Sequence, residues 1–313
     1  MAFNVSSLPN YVEQQEYPLL FKSLFSAKTM QLFRKQPGVK GQAAINIFDQ
    51  DVVFQPGGCG FNPSGSTTLS QRTIVTAFMK VDKSYCPDDL RNYYLQAQLS
   101  PGSYEEEIPF EQEFAEKQAE VIAVQIETAL WQSDKNSTAP NLSYFDGFVK
   151  VISGSGAYQT GSYHVSASSG FAALSGSGVF NVVQGVWSAI PAAVIDQEDV
   201  AVFCGRDVFT LYQQYLVSAN LYHYVGDADK NVQVTIPASG LKLIALNGLN
   251  GTYKIYAGRM SNFVIGVDVE DDSTSKFKMW WDESTQTVKF TCKWTVGVNV
   301  AFPAEIVYWY NGQ

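Results

Sequence analysis

The chain has 313 residues, 46% of them hydrophobic and 16% charged, and a formal net charge of −9. That length suits one large domain or two ordinary ones, and the composition is too apolar and too sparsely charged for a disordered chain. No apolar run approaches the roughly eighteen residues of a membrane-spanning helix; the longest candidate, Gly185–Ile195, contains Pro191.

The opening residues Met1–Pro9 carry neither a charged n-region nor an apolar h-region. They do not read as a secretory signal, so the expected compartment is the one where the chain is made. Cys59, Cys86, Cys204 and Cys292 lie far apart without a CxxC pair, so four free thiols are expected rather than a disulfide framework or a zinc site. Charge is uneven. Residues 1–40 hold Lys22, Lys28, Arg34, Lys35 and Lys40 against Glu13 and Glu16, a net +3, which leaves −12 on the remainder. A basic arm can dock on an acidic surface of another copy or touch nucleic acid. The acidic body argues against tight phosphate binding by the whole molecule.

Residues Asn10–Gln36 are amphipathic, with Leu19, Leu20, Leu24, Met30, Leu32 and Phe33 at loosely helical spacing between Pro18 and Pro37. Such an arm cannot form a core alone and must lie along something larger. A strand–tip–strand pattern follows. Ala43–Gln55 alternates through Ile45, Ile47 and Val53, Pro56–Ser66 is dense in Gly, Pro, Asn and Ser, and Thr67–Lys83 alternates again through Thr73–Thr76. This predicts a hairpin of roughly forty residues, which is marginal by itself in water and needs a partner to pack against.

Glu105–Glu107 and Pro109 precede the strongest helical pattern, as suits a first turn. Phe110, Phe114, Ile122, Ile126 and Leu130 recur at multiples of four, with Val121 and Ala129 beside them; Glu113, Glu116, Lys117, Glu120 and Glu127 are assigned to the opposite face. The spacing predicts a helix over 109–133, about six turns long. Residues 145–175 read as strands with Gly/Ser-rich turns. A second helix is expected over Val179–Ile190, with Phe180, Val183, Trp187 and Ile190 on one face. A buried strand Val200–Cys204 leads through Asp207, a candidate N-cap, into a third helix presenting Val208, Leu211, Tyr212 and Tyr215. The rest is mostly strand: Val232–Ile236, Leu241–Leu246, Thr252–Tyr256, Phe277–Trp281, Thr287–Val300 and Glu305–Tyr310. The class is α+β, with no βαβ rhythm and no internal repeat.

Few residues suggest chemistry. His164 and His223 lie in different segments without a Cys or second His at metal spacing. There is no GxSxG elbow, no SxxK and no phosphate-cradling Gly loop, since Gly154 and Gly156 lack the third Gly and the following helix. Asp268, Glu270, Asp271 and Asp272 form the densest acidic cluster but lack the calcium-loop spacing, and read as a solvated turn. Trp280, Trp281, Trp294 and Trp309 could stack sugars, but within strand patterns they read first as buried or interface aromatics. No catalytic, cofactor-binding or metal-binding residue is assigned, and the chain is not expected to be an enzyme.

The order of elements resembles a tailed-bacteriophage major capsid protein of the HK-97-like fold, over nearly the whole chain. Gln42–Lys83 looks like the E-loop and Phe110–Gln132 like the spine helix. Val179–Pro191, Val200–Asp207 and the following helix are similar to the opening of the A-domain, and Ser261–Asp272 looks like its return. Phe290–Gly297 and Phe302–Tyr308 are similar to the last P-domain strands. The resemblance implies an N-terminal arm over 1–39, an E-loop over 40–85 and a first P-domain part over 86–176. An A-domain over 177–272 and closing P-domain strands over 273–313 would follow. It further implies self-assembly as pentamers and hexamers into an icosahedral head, with portal, scaffold or decoration proteins as partners. Double-stranded DNA would be contacted weakly and no membrane at all. The location would be the virion, assembled in the host cytoplasm. No charged coiled-coil preface is visible. Lys40, Lys80, Lys83, Asn299 and Asn311 could supply cross-linking groups of the kind some members use, but nothing aligns them and no cross-link is carried over. An encapsulin-type nanocompartment shell resembles the same fold and stays open, as does a β-rich adhesin or sugar-binding module, against which the missing export signal counts.

Overall fold

The computed structural model describes residues 27–57, 59, 64–86, 110–153, 163–166, 176–221, 233–268 and 277–310. Among these, two sheets share one body. The first sheet contains β1 (Arg34–Gln36), β4 (Ala77–Tyr85), β10 (Phe263–Val267), β11 (Phe277–Asp282) and β12 (Thr287–Val300). β12 is its axis: one edge pairs with β4, and the other with β11 and then β10, all antiparallel. β1 adds in parallel to β10. The second sheet has the order β5 (Tyr163–Ser166), β13 (Val307–Tyr310), β9 (Ile255–Arg259), β6 (Val200–Cys204), β8 (Lys242–Ala245), β7 (Gln233–Thr235).

The second sheet is covered on both faces, and its period-two alternation assigns each residue to a layer. Ala201 and Phe203 face one core, together with Ile126, Leu130 and Trp131 of the long helix α2 (Phe110–Gln132). Val202 and Cys204 face another, against Val179, Val183 and Val186 of α4 (Gly176–Ser188) and Val208, Phe209 and Tyr212 of α6 (Arg206–Ser218). Three shorter helices complete the set: α1 (Lys28–Leu32), α3 (Phe148–Ser153) and α5 (Ala192–Ile195).

The hairpin differs from its sequence reading in one important way. β2 (Gln42–Gln50) pairs with β3 (Thr67–Val75) as an isolated two-stranded ribbon. The return leg predicted over Thr67–Lys83 then breaks at Thr76, and its second half becomes β4, paired to β12 in the first sheet. Only the first half is ribbon; the remainder is core framework. The ribbon's root packs on the body through Ile45, Ile74, Val39, Val264 and Ala301. Gly297 makes this approach possible, because a Cβ there would lie 2.2 Å from the Val75 carbonyl oxygen.

Other departures have local causes. Within 145–175, Phe148–Ser153 is a helix rather than a strand, held by burial of Phe148 and Ile152 despite its β-branched valines. Asp207 is not the N-cap of α6. Gly205 occupies that position, and Asp207 sits in the first turn, accepting from Val208 N at 2.8 Å and Gly251 N at 3.1 Å. Phe263–Val267 pairs with β12 in the first sheet, so the chain leaves the second sheet near Met260, before the expected boundary at 272. Tyr308 and Trp309, expected among the closing strands of the first unit, pair instead with β9 of the second sheet.

α2 follows its predicted register on the described side chains. Ile122, Ile126, Ala129 and Leu130 are buried, whereas Val121 is 41% exposed and Glu127 is buried. Phe110, Phe114, Glu113 and Glu116 have side chains outside the described set. Ile126→Asp should therefore place an unpaired charge in the core and cost several kcal/mol, on the order of 3 or more, while Glu120→Gln on the exposed face should leave the melt nearly unchanged. Thermal denaturation of the two soluble fractions reads this directly; equal melting points would mean the stripe does not face a core.

Candidate assembly surfaces

Two regions stand out by their side chains: the seat of the N-terminal segment, and the ribbon with the groove beside α2. The first is a buried polar knot. Glu127 projects from α2 and accepts from Thr29 N at 2.9 Å and Thr29 Oγ1 at 2.6 Å. The Thr29 hydroxyl in turn accepts from Trp131 Nε1 at 2.8 Å. Lys28 donates to the Ala245 carbonyl at 2.9 Å. Burial pushes the Glu127 carboxyl above its ordinary range, partly offset by the two Thr29 hydrogen bonds and by the Lys28 charge. Around the knot, Phe33 stacks on Phe263 at 4.6 Å and meets Phe203 and Phe148 edge-on at 5.2 and 5.6 Å. The root of the segment expected to be an arm is thus a structural part of the core. Leu19, Leu20 and Leu24 lie outside the described residues.

The second region begins where the ribbon leaves the body. Ile45 and Ile74 are buried at its root, but Leu69 is 76% exposed and Val52, Val53 and Phe54 follow at 65%, 50% and 96%. The strand pairing runs one step beyond β2, with Asp51 N donating to Ser66 O at 2.9 Å. Gly65 closes that step with φ +98°, and a Cβ would sit 2.6 Å from the Asp51 carbonyl oxygen. The tip is therefore shaped at its neck, while its apolar side chains face water. Gly58, Gly60 and 61–63 lie outside the described residues.

Across the body, a groove of about 260 Å³ opens between α2 and β4. Met79, Val81, Val121, Ile122, Ala129 and Trp294 form its apolar walls, with Lys80 and Lys83 among its polar lining.

Among the described residues, those weighed for chemistry do not come together. His164 lies in β5, with its side chain outside the described set, and His223, Glu270, Asp271, Asp272 and Asn311 lie outside it altogether. Trp294 and Trp309 are buried and only Trp280 is well exposed, at 40%, so they form no sugar platform. None of the four cysteines is in a disulfide: Cys59 is exposed, Cys86 half-buried, and Cys204 and Cys292 buried, with burial pushing the Cys204 thiol up. Lys80 pairs with Asp82, Lys83 with Gln118, and Asn299 donates to the Thr73 carbonyl, so none of the three points to a cross-link within the chain. Among the described residues no helix is long and apolar enough to cross a membrane, and no group of three His, Cys, Asp or Glu could hold a metal ion. Sequence reading missed the Glu127 knot, because a Glu at a helix position normally reads as a solvated face.

No family model matches the chain, and no curated protein does. Solved structures do. The chain is similar to the satellite phage P4 procapsid structure, which includes a size determination protein, with TM-score 0.62 and 12% identity over 96% of this chain and 90% of that one. It is similar to the capsid of Myoviridae phage XM1, with TM-score 0.55 and 12% identity over 90% of each chain. It also resembles a virus-like particle from Pyrococcus furiosus, with TM-score 0.51 and 12% identity over 96% of this chain and 99% of that one. The chain has the HK-97-like α+β fold of phage capsid subunits.

The knot makes a measurable claim. Glu127→Ala should leave the Thr29 amide and hydroxyl without their acceptor in a buried site and cost about 2–4 kcal/mol. The pH dependence has a definite sign. The folded-state pKa of Glu127 is raised above its value of about 4.5 in the unfolded chain, so the folded state holds the proton more tightly. The associated stability is fully present below that value and is lost as pH rises through the folded one. Melting temperatures of native protein and Glu127→Gln, compared from pH 4.5 upward, should show a falling contribution in the native protein that the amide lacks. Parallel curves would place the carboxyl in a solvent-like setting.

Proposed function

We propose that this chain is a major capsid protein, the subunit that self-assembles into the icosahedral head of a tailed double-stranded DNA bacteriophage. The observation that carries this reading is coverage: one fold accounts for 96% of this chain and 90% of a procapsid chain, and for 90% of both chains in a phage capsid comparison. The mechanism is geometric. One polypeptide makes several distinct contacts with copies of itself, and closed symmetry requires those patches to be complementary. In this assignment α2 and the first sheet form the P-domain, meeting copies near threefold positions. The second sheet with α4 and α6 forms the A-domain, gathered around fivefold and sixfold axes. The β2–β3 ribbon is the E-loop, laid across a neighbour. Burial per subunit should exceed the roughly 2,000 Å² at which obligate contacts begin. A net charge of −9 suits a container that does not grip packaged phosphate. Portal, scaffold or decoration proteins would be further partners, and the mature location would be the virion, after assembly in the host cytoplasm.

A shell around a protein cargo is the second reading, supported by the match to the Pyrococcus furiosus virus-like particle. Negative-stain microscopy of the recombinant protein tests both. Closed shells or capsomers are expected; protein that stays monomeric under every assembly condition overturns the shell reading. Shells that copurify with one stoichiometric enzyme would favour the cargo compartment.

The ribbon separates folding from assembly. Replacing Phe48–Leu69 with a short Gly-Ser linker cuts between paired positions and leaves Ile45, Ile74 and all of β4 in place. That variant should remain a soluble monomer with a cooperative melt and should fail to close shells. A wider cut reaching Val81 would strip half of β4 from β12 and damage the core itself. Closed particles from the shorter cut would make the ribbon dispensable.

A further inference from the structure

The solvent face of the first sheet differs in composition from the rest of the molecule. Along β12, Val288, Phe290, Cys292 and Trp294 are buried. The alternate residues Thr287, Lys289, Thr291 and Lys293 turn to the opposite face and are half-buried. Strand pairing fills in the neighbours. On β11, Trp280 lies beside Lys289 and Lys278 beside Thr291. On β4, Lys80 lies beside Lys293 and Asp82 beside Thr291. Lys80, Asp82, Lys278 and Trp280 are exposed. Three strands wide and Thr287–Thr295 long, this open face measures roughly 10 by 27 Å.

Its charge is opposite to that of the chain. Lys80, Lys278, Lys289 and Lys293 stand against Asp82 and Asp282, a net +2 in a protein of net −9. Glu283 lies in the turn beyond Asp282, off the strands. Both aspartates are already held within the face. Asp82 accepts from Lys80 and from the Thr291 hydroxyl, each at 2.6 Å. These two hydrogen bonds, with the Lys293 charge adding a smaller part, hold its carboxyl below the ordinary range. Asp282 accepts from Lys289 and from the Ser284 hydroxyl at 2.7 Å. Lys278 has Thr291 opposite it rather than an acid, and makes no hydrogen bond or ion pair among the described residues. What the face leaves available is therefore donors: the Lys278 and Lys293 ammonium groups and the Trp280 indole N–H.

We infer that this face binds the phosphate backbone of duplex DNA, with Lys278 and Lys293 as the phosphate contacts and Trp280 donating beside them. Phosphate contacts need charge and donors on an open surface, and carry no demand for a pocket. An acidic protein partner would be anchored by apolar side chains in a pocket, and the exposed large apolar residues of this face are Trp280 and Phe78, which stand apart on its two outer strands. The length of the face spans about eight base pairs. With two uncommitted lysines each contact is weak, as a chain of net −9 requires, and repetition over many copies along one duplex adds the contacts together. The inference rests on the shell reading for the source of the duplex and names the residues that touch it.

The test titrates dispersed, full-length protein into a fluorescent duplex of about 20 base pairs at about 50 mM salt and reads anisotropy. Native protein should bind, with log K falling against log salt at a slope of about −2. Lys278→Glu combined with Lys293→Glu should weaken binding at least about tenfold, and the milder Lys278→Gln with Lys293→Gln about threefold, both with the native melt. Asp82→Asn removes an acid from the face and should tighten binding about threefold. Lys117→Glu with Lys135→Glu makes the same change in net charge at exposed positions elsewhere and should stay within about twofold of native. Equal losses in the two glutamate pairs would mean that only total charge matters, and overturn the inference. So would native protein that binds no duplex, or poly-glutamate that binds this face more tightly than DNA of matched charge, which would make an acidic protein its occupant. Particle formation is scored separately by microscopy, so failure of the shell reading and failure of the DNA contact are told apart.

Discussion

The strand β12 is the constraint from which the rest of the architecture follows. Its fourteen residues hold three partners: β4 along one edge, and β11 and then β10 along the other. Its burial changes along its length. From Thr287 to Trp294 every second residue is buried, and from Thr295 to Val300 every residue is buried. The first half is a sheet with one covered face. The second half is covered on both, because the ribbon root comes down on it at Gly297. A residue with a side chain at that point would push Val75 away and detach the ribbon from the body.

The end of β12 also sets how the two sheets meet. Two of the chain's crossings between them, over 259–263 and 300–307, are tied together. Arg259 forks onto Glu305 at 2.8 and 2.7 Å, Asn262 donates to the Phe302 carbonyl at 2.7 Å, and Phe302 N donates back to Asn262 at 2.6 Å. A bidentate guanidinium pair fixes direction as well as distance. The angle between the sheets is thus held by side-chain geometry where these two connections meet.

The sequence was most legible where periodicity and burial coincide locally. β12 was read over Thr287–Val300 with both ends matching, and α2 within a residue at each end, because long regular patterns carry many concordant positions. It was least legible where a long-range partner decides. Nothing in Thr67–Lys83 marks the change at Thr76 from ribbon to sheet, since both halves alternate alike and the difference lies in Val288–Val296, more than two hundred residues away. Glu127 is a further case. Its burial follows from Thr29, ninety-eight residues earlier, presenting an amide and a hydroxyl to one carboxylate, and helical spacing alone places it with the solvated glutamates. The α3 helix shows tertiary packing overriding the β preference of Val149 and Val151. The exposed apolar run had a weaker signal still: Val52–Phe54 reads in sequence as more strand, and only the structure separates apolar residues that are buried from those held in water.

On the proposed shell reading, that separation bears on the order of events in assembly. The ribbon is rooted by Ile45, Ile74 and the Gly297 contact within its own subunit, so its direction is set by folding. Its tip has exposed apolar side chains, so in the proposed shell its final seat would be set by association. Pre-orientation of the root reduces the ordering cost at each contact, since only the tip has to settle. The same division limits premature association. The body cores are closed within the subunit, the exposed apolar run is short, and acidic charge beside it at Asp51 would give free subunits a repulsive term against one another's acidic surfaces. In the proposed shell, contacts of modest individual strength would become stable when a ring closes, because the closing subunit makes two contacts while losing translational freedom once. A fold with a rigid axis, a clamped inter-sheet angle and one extended grip has the properties this requires.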